Sequence, residues 1–219
     1  SVPAIAVQPP GLSEVSYVAV VDIPSAGPWR LTATVVGPTA GEGTGDLVAL
    51  DPAATAPLGA AAPTIATRTN AEVATLTVLT TDPLPDPRLT ERSTVDALAS
   101  GGPWVFVVDS ATFKVTPACG RALVLAKRLL DRWTAVPFIH HEPYAYDVVT
   151  TEPVLRGTLE QPVLTEVARA WGIGPAPWTA GSMPWTFVVD GEGIVRAKYQ
   201  GILGSADVDV LLTWLGGAR

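Results

Sequence analysis

Met183-Pro184-Trp185-Thr186-Phe187-Val188-Val189-Asp190-Gly191-Glu192-Gly193-Ile194-Val195 is the stretch that decides how the second half of this chain folds. Trp185 to Val189 is an uncharged run of apolar and β-branched side chains, the signature of a strand. Asp190-Gly191-Glu192-Gly193 then supplies turn residues, and a second strand-like run follows from Ile194 to Tyr199. Two such runs around a Gly-rich turn read as an antiparallel hairpin. Beyond it, Val208 to Leu215 reads as a final helix that stops at Gly216-Gly217.

Upstream of the hairpin the pattern alternates between strand and helix. Trp104 to Val108 is continuously apolar, as a strand buried on both faces must be. Ser93 to Ala99 reads as a short helix before it, closed by Gly101-Gly102-Pro103. Cys119 to Trp133 carries Ala122, Leu123, Ala126, Leu129, Leu130 and Trp133 at helical spacing, with charged residues interleaved. Val136 to His140 is a further strand, and Pro162 to Trp171 reads as a helix ended by Gly172. From Trp104 onward the order is β-α-β-α-β-β-α, parallel crossovers followed by an antiparallel hairpin.

The segment before Leu89 differs in type. Thr81-Asp82-Pro83-Leu84-Pro85-Asp86-Pro87 forces an extended path and forbids a helix, so residues 81–88 read as a linker. Residues 1–80 read as all-β. Tyr17 to Ile23 and Trp29 to Val36 form an expected hairpin, Gly45 to Leu50 and Glu72 to Val78 are two more strands, and Pro52 to Pro63 is an irregular crossover. Short strands between Gly/Pro-rich turns predict a small β-sandwich over 1–80, followed by an α/β domain over 89–219.

At 47% hydrophobic and 16% charged residues, the chain can bury a proper core. Its formal net charge is −7 and no basic stripe is present, which argues against nucleic acid as a partner. No apolar run approaches the ~20 residues that a spanning helix needs. The opening Ser1-Val2-Pro3 lacks the charged and apolar regions of a signal peptide. A protein relieved of an export signal or lipid anchor would begin in this way, and so would a cytoplasmic one.

The element order resembles the thioredoxin fold, a central mixed sheet flanked by helices. Three local features carry the resemblance: Cys119-Gly120 at the start of the long helix, Met183-Pro184 where that superfamily places a cis-proline, and the Asp190 to Gly193 turn. A narrower likeness is to bacterial extracytoplasmic proteins that join a small Ig-like or YtkA-like module to a thioredoxin-like domain. Its landmarks are Asp86-Pro87-Arg88-Leu89, Phe138-Ile139-His140-His141-Glu142, Pro184-Trp185-Thr186-Phe187-Val188-Val189-Asp190 and, in the first module, Ala26-Gly27-Pro28-Trp29-Arg30-Leu31. The resemblance implies an envelope location and a binding face at the cis-proline.

The departure from the family is chemical. Dithiol exchange needs one thiolate to attack and a second to resolve the mixed disulfide, and Cys119 is the chain's single cysteine. A C-x-x-C register puts the missing thiol at Thr116, and a C-x-x-x-x-C register puts it at Lys114. Neither residue forms a disulfide, so dithiol chemistry within one chain is excluded.

Three functional readings follow. The first is a non-catalytic module binding a protein or small ligand at the cis-proline face, with Met183, Pro184, Trp185 and Trp178 as binding residues and Trp171 beside them. The second is a single-cysteine redox protein in which Cys119 works with a partner thiol, its thiolate favoured by a helix N-terminus. The third is copper or zinc held by Cys119 and His140, as some thioredoxin-fold copper chaperones hold copper with two cysteines and a histidine. Glu142, Asp147 and Glu152 read as acids of a solvated loop between Pro143 and Pro153. No P-loop, Rossmann fingerprint, nucleophile elbow or H-E-x-x-H is present, so no cofactor is expected. The oligomeric state stays open.

Overall fold

A computed structural model describes residues 2–7, 16–18, 21, 23–37, 40–49, 55–114, 118–174, 183–201 and 204–216. The chain divides into two compact units, Ser1–Ala54 and Thr55–Arg219, and is of mixed α/β type with several sheets and four α-helices among the described residues.

In the first unit, β1 (Ile5–Val7) pairs antiparallel with β2 (Ser16–Val18), and β3 (Gly27–Val35) with β4 (Gly41–Ala49). The long hairpin therefore joins Trp29 to the Gly45 strand, not to the Tyr17 strand as the sequence suggested. Trp29 lies opposite Leu47, and Arg30 grips the Asp46 carboxylate through two bonds of 2.7 and 3.0 Å. Among residues 2–4, 21, 23–37 and 40–49 none is buried.

The second unit is built on a four-stranded sheet. Its strands are β5 (Trp104–Val108), β6 (Phe138–His141), β9 (Trp185–Val189) and β10 (Val195–Gln200), in the spatial order β10-β9-β5-β6. β5 runs parallel to β6 and antiparallel to β9, and β9 is antiparallel to β10. Between β6 and β9 comes the hairpin β7 (Tyr146–Val149) and β8 (Glu152–Leu155). The helices are α1 (Thr94–Ala99), α2 (Arg121–Arg132), α3 (Glu166–Ala170) and α4 (Ser205–Trp214).

Strand alternation splits the core into two layers. Trp104, Phe106, Val108, Phe187 and Val189 pack with Ala97, Val167 and Trp171 on one face of the sheet. Val105, Val107, Phe138 and Val188 pack with the apolar stripe of α2 and with Val208 and Leu212 of α4 on the other. Arg132 and Trp133 both donate to Asp209, which ties the end of α2 to α4.

Several sequence expectations change here. Glu72 to Val78 is not a strand but holds parts of two short 3₁₀ turns, Asn70–Glu72 and Leu76–Val78. The helix expected from Pro162 starts only at Glu166. The antiparallel bridges Gly157–Pro162 and Tyr144–Leu164, with reciprocal Thr158 and Gln161 backbone bonds of 3.2 Å, fold residues 157–164 into a tight turn outside any helix, and Thr165 caps the helix through the Ala168 N–H. The loop expected around Asp147 and Glu152 is the β7–β8 hairpin.

Residues 55–88 pack within the second unit, whereas the sequence reading set its division at 81–88. The Ala56 N–H donates to the Trp171 carbonyl at 3.0 Å, and residues 59–62 exchange backbone bonds with Gly193 and Val195. The side chains of Ala56 and Ala62 enter the core. Thr67 and Thr94 exchange side chain for backbone bonds of 3.1 and 3.2 Å at the start of α1. Extended proline-rich chain thus serves as packed cover, because its polar groups find partners in the α/β layer.

The hairpin turn shows why the opening stretch folds as it does. Asp190 Oδ1 accepts the N–H groups of Glu192 and Ile194 at 2.9 and 2.8 Å, and the Asp190 carbonyl accepts that of Gly193 at 3.0 Å. A Cβ at Gly191 would collide with the Gly101 carbonyl, so this turn admits glycine alone at its tip.

Candidate functional site

The polar residues of the second unit converge where β5 and β6 end. β5 runs into Asp109 and Ser110 and β6 into Glu142, and all three side chains are buried. Parallel neighbours end side by side, so the topology itself brings the two acids into one cluster.

Asp109 reaches from its strand to the start of α2. Its carboxylate accepts the Gly120 N–H at 2.9 and 3.1 Å and the Ser110 N–H at 2.8 Å. Gly120, at φ +81°, is the N-cap of α2 and has no side chain to satisfy the helix start. The Asp109 carboxylate supplies the missing acceptor from another element. Burial pushes its pKa up to about 6, against the bonds from Gly120, Ser110 and Leu123 that hold it down.

Glu142 lies 2.7 Å from Thr81 Oγ1 through Oε2, while Oε1 is buried with no hydrogen-bond partner. Burial raises its pKa to about 8, opposed by the hydroxyls of Ser110 and Thr81. It is therefore not a solvated loop acid, as the neighbouring prolines suggested. Asp147, by contrast, is exposed and paired with Arg156, and Glu152 is exposed on β8.

His140 Nε2 donates to the Asp109 carbonyl at 3.0 Å, and burial lowers its pKa to about 4. His141 faces the opposite layer. It meets Thr165 Oγ1 at 2.7 Å, stacks on Phe106, and is driven down to about 3 by burial and by His140. Both rings are neutral at physiological pH. Among the described residues, no group of three His, Cys, Asp or Glu side chains stands close enough to hold a metal ion.

Cys119 precedes the N-cap of α2 and is buried, its Sγ 4.0 Å from the Met183 carbonyl. The Met183–Pro184 peptide is cis. Met183, Pro184 and Trp185 are buried, and Trp171 is wholly buried with ring centroids 4.6 Å from Phe106 and 4.8 Å from Phe187. Trp171 is a core residue. Lys114 is exposed, and Thr116 and Trp178 lie outside the described residues.

Neither a protein-family model nor a curated protein matches the chain.

Sequence reasoning singled out Cys119, His140 and Glu142 but missed Asp109, Ser110 and Thr81. An acid directly after a doubly buried strand was a usable signal for Asp109. Thr81 sits in a proline-rich run, where spacing carries no information about what its hydroxyl meets. No helix among the described residues is long and apolar enough to cross a membrane.

Proposed function

We propose that residues 55–219 form a thioredoxin-like domain that works as a binding module rather than as a dithiol oxidoreductase. The sheet order β10-β9-β5-β6, with one parallel and two antiparallel pairings and helices on both faces, supports the fold reading. For the first unit the same resemblance suggests an Ig-like module, to which the β3–β4 hairpin contributes. An extracytoplasmic setting goes with that pairing of modules.

The occupied start of α2 carries the functional reading. A reactive thiolate in this fold class draws on the N–H groups of a helix N-terminus. Here the Gly120 N–H is bonded to Asp109, and Cys119 is packed beneath the Met183 carbonyl with only 3% of its surface exposed. The same burial weighs against exchange with a partner thiol. Binding of a protein or small ligand is then the role left for the face beside Met183–Pro184.

Insulin-disulfide reduction in the presence of dithiothreitol tests this. The expected result is no turnover above the reagent background. Turnover that disappears in Cys119→Ala would overturn the reading.

A further inference from the structure

We propose that Glu142 works as a proton-operated latch: as the neutral acid it holds residues 80–82 and 110–114 against the end of β6, and its ionisation lets the 110–114 segment open.

Three segments distant in sequence meet at one hydroxyl. Thr81 Oγ1 is 2.7 Å from Glu142 Oε2 and 3.4 Å from Ser110 Oγ, and it accepts the Thr112 N–H at 3.1 Å. Thr112 Oγ1 donates back to the Thr81 carbonyl at 2.9 Å, and Ser110 Oγ accepts the Phe113 N–H at 3.1 Å. The bonds that seat residues 110–113 therefore run through Thr81 and Ser110, and Glu142 stands at the head of that chain.

Oε1 gives the latch its direction. It is buried and has no hydrogen-bond partner. A neutral carboxyl tolerates this better, because Oε2 keeps the bond that the Thr81 hydroxyl donates and Oε1 carries no net charge. A carboxylate spreads its charge over both oxygens, and a buried, unpartnered charged oxygen is costly. The cost falls when water reaches Oε1, which requires the covering segments to part.

The neighbouring groups reinforce this. Asp109 at the end of β5 adds like charge, and the phenols of Tyr144 and Tyr146 sense Glu142 from the segment after β6. Cys119, ahead of α2, acts on the same Tyr144 phenol, and His140 on the same strand is neutral. The Lys127 ammonium on α2 is bound to Asp82 and to the Leu84 carbonyl, each at 2.5 Å. Burial holds the Glu142 pKa at about 8, so the latch is closed at neutral pH and opens in mild alkali.

Amide hydrogen exchange on the full chain tests the proposal at about pH 7 and about pH 9, corrected for intrinsic exchange. Phe113 reports the segment, and Trp133, whose N–H bonds to the Leu129 carbonyl at 2.8 Å, reports the helical layer. The expected result is a loss of roughly tenfold or more in Phe113 protection at the higher pH, with Trp133 unchanged, and no loss in Glu142→Gln. Equal protection of Phe113 at both pH values overturns the latch, as does an equal loss in Glu142→Gln or a matching loss at Trp133. Should Glu142→Gln not fold, the wild-type chain decides: the Glu142 side-chain carboxyl, followed by carbon NMR, titrates together with the Phe113 loss, and a carboxyl already ionised below about pH 7 refutes the proposal.

Discussion

Raising the pH from about 6.5 to about 8 should destabilise the chain through one side chain, Glu142. A glutamate ionises near 4.5 in the unfolded chain and near 8 in the fold, so the native state holds one more proton in between. Stability then falls as pH rises, by about 1.4 kcal/mol per pH unit for one proton. Asp109 acts in the same sense between 3.8 and about 6. His140 and His141 act in the opposite sense. They stay neutral in the fold down to about 4 and about 3, while the unfolded chain takes up protons below 6.5. Their contribution is complete only by about pH 7.5 and is lost as pH falls. Between about 4.5 and about 6 the two histidines and the two acids nearly cancel, and above about 6 Glu142 prevails as the unfolded histidines give up their protons. Beyond 6.5 the loss through Glu142 is partly offset by the histidines, which are still half protonated there in the unfolded chain. Of these four groups' combined effect, the maximum lies at about pH 6, and roughly 1 kcal/mol is gone between about pH 6.5 and about pH 8. Urea unfolding followed by tryptophan fluorescence at the two pH values measures this directly, with Glu142→Gln as the comparison. A wild-type chain as stable at pH 8 as at 6.5 would refute the reasoning. So would a Glu142→Gln variant that loses the same amount.

Truncating Trp171 to Ala removes a wholly buried indole from the Phe106–Phe187 cluster and should cost about 3–5 kcal/mol, read as a shift in the denaturation midpoint. Gly191→Ala drives a methyl group into the Gly101 carbonyl; a loss of about 1–3 kcal/mol in thermal unfolding is expected, and a neutral effect would mean the hairpin tip can shift. Ser93→Ala removes the α1 cap, where the Ser93 hydroxyl accepts the Asp96 N–H at 3.2 Å, and should cost about 1 kcal/mol in the same measurement.

The sequence was most informative where one physical constraint acted alone. Trp104 to Val108 has no polar face, so it had to become an interior strand, and Asp190 to Gly193 had no option but a turn. The stripe from Ala122 to Leu130 likewise leaves α2 a single side to bury. Glu72 to Val78 misled because its alternation is that of a strand, while the chain there forms 3₁₀ turns and Thr77 offers its carbonyl to the Tyr146 hydroxyl. The candidate site was half legible. Cys119, His140 and Glu142 stood out by residue type, but their meaning depends on Asp109 reaching Gly120 and on Thr81 reaching Glu142. Those contacts join residues 11 and 61 positions apart, and no local pattern encodes them.

The strip from Thr55 to Ala62 has a consequence for anyone dividing this protein. It sits on the turn and first residue of β10, covering backbone groups that would otherwise face solvent. A fragment begun at Leu89 would bare that edge together with the apolar surface now under Ala56 and Ala62. Unpaired strand edges beside apolar surface recruit other chains. Such a fragment should sediment as aggregates, whereas one begun at Thr55 keeps its edge closed and stays dispersed.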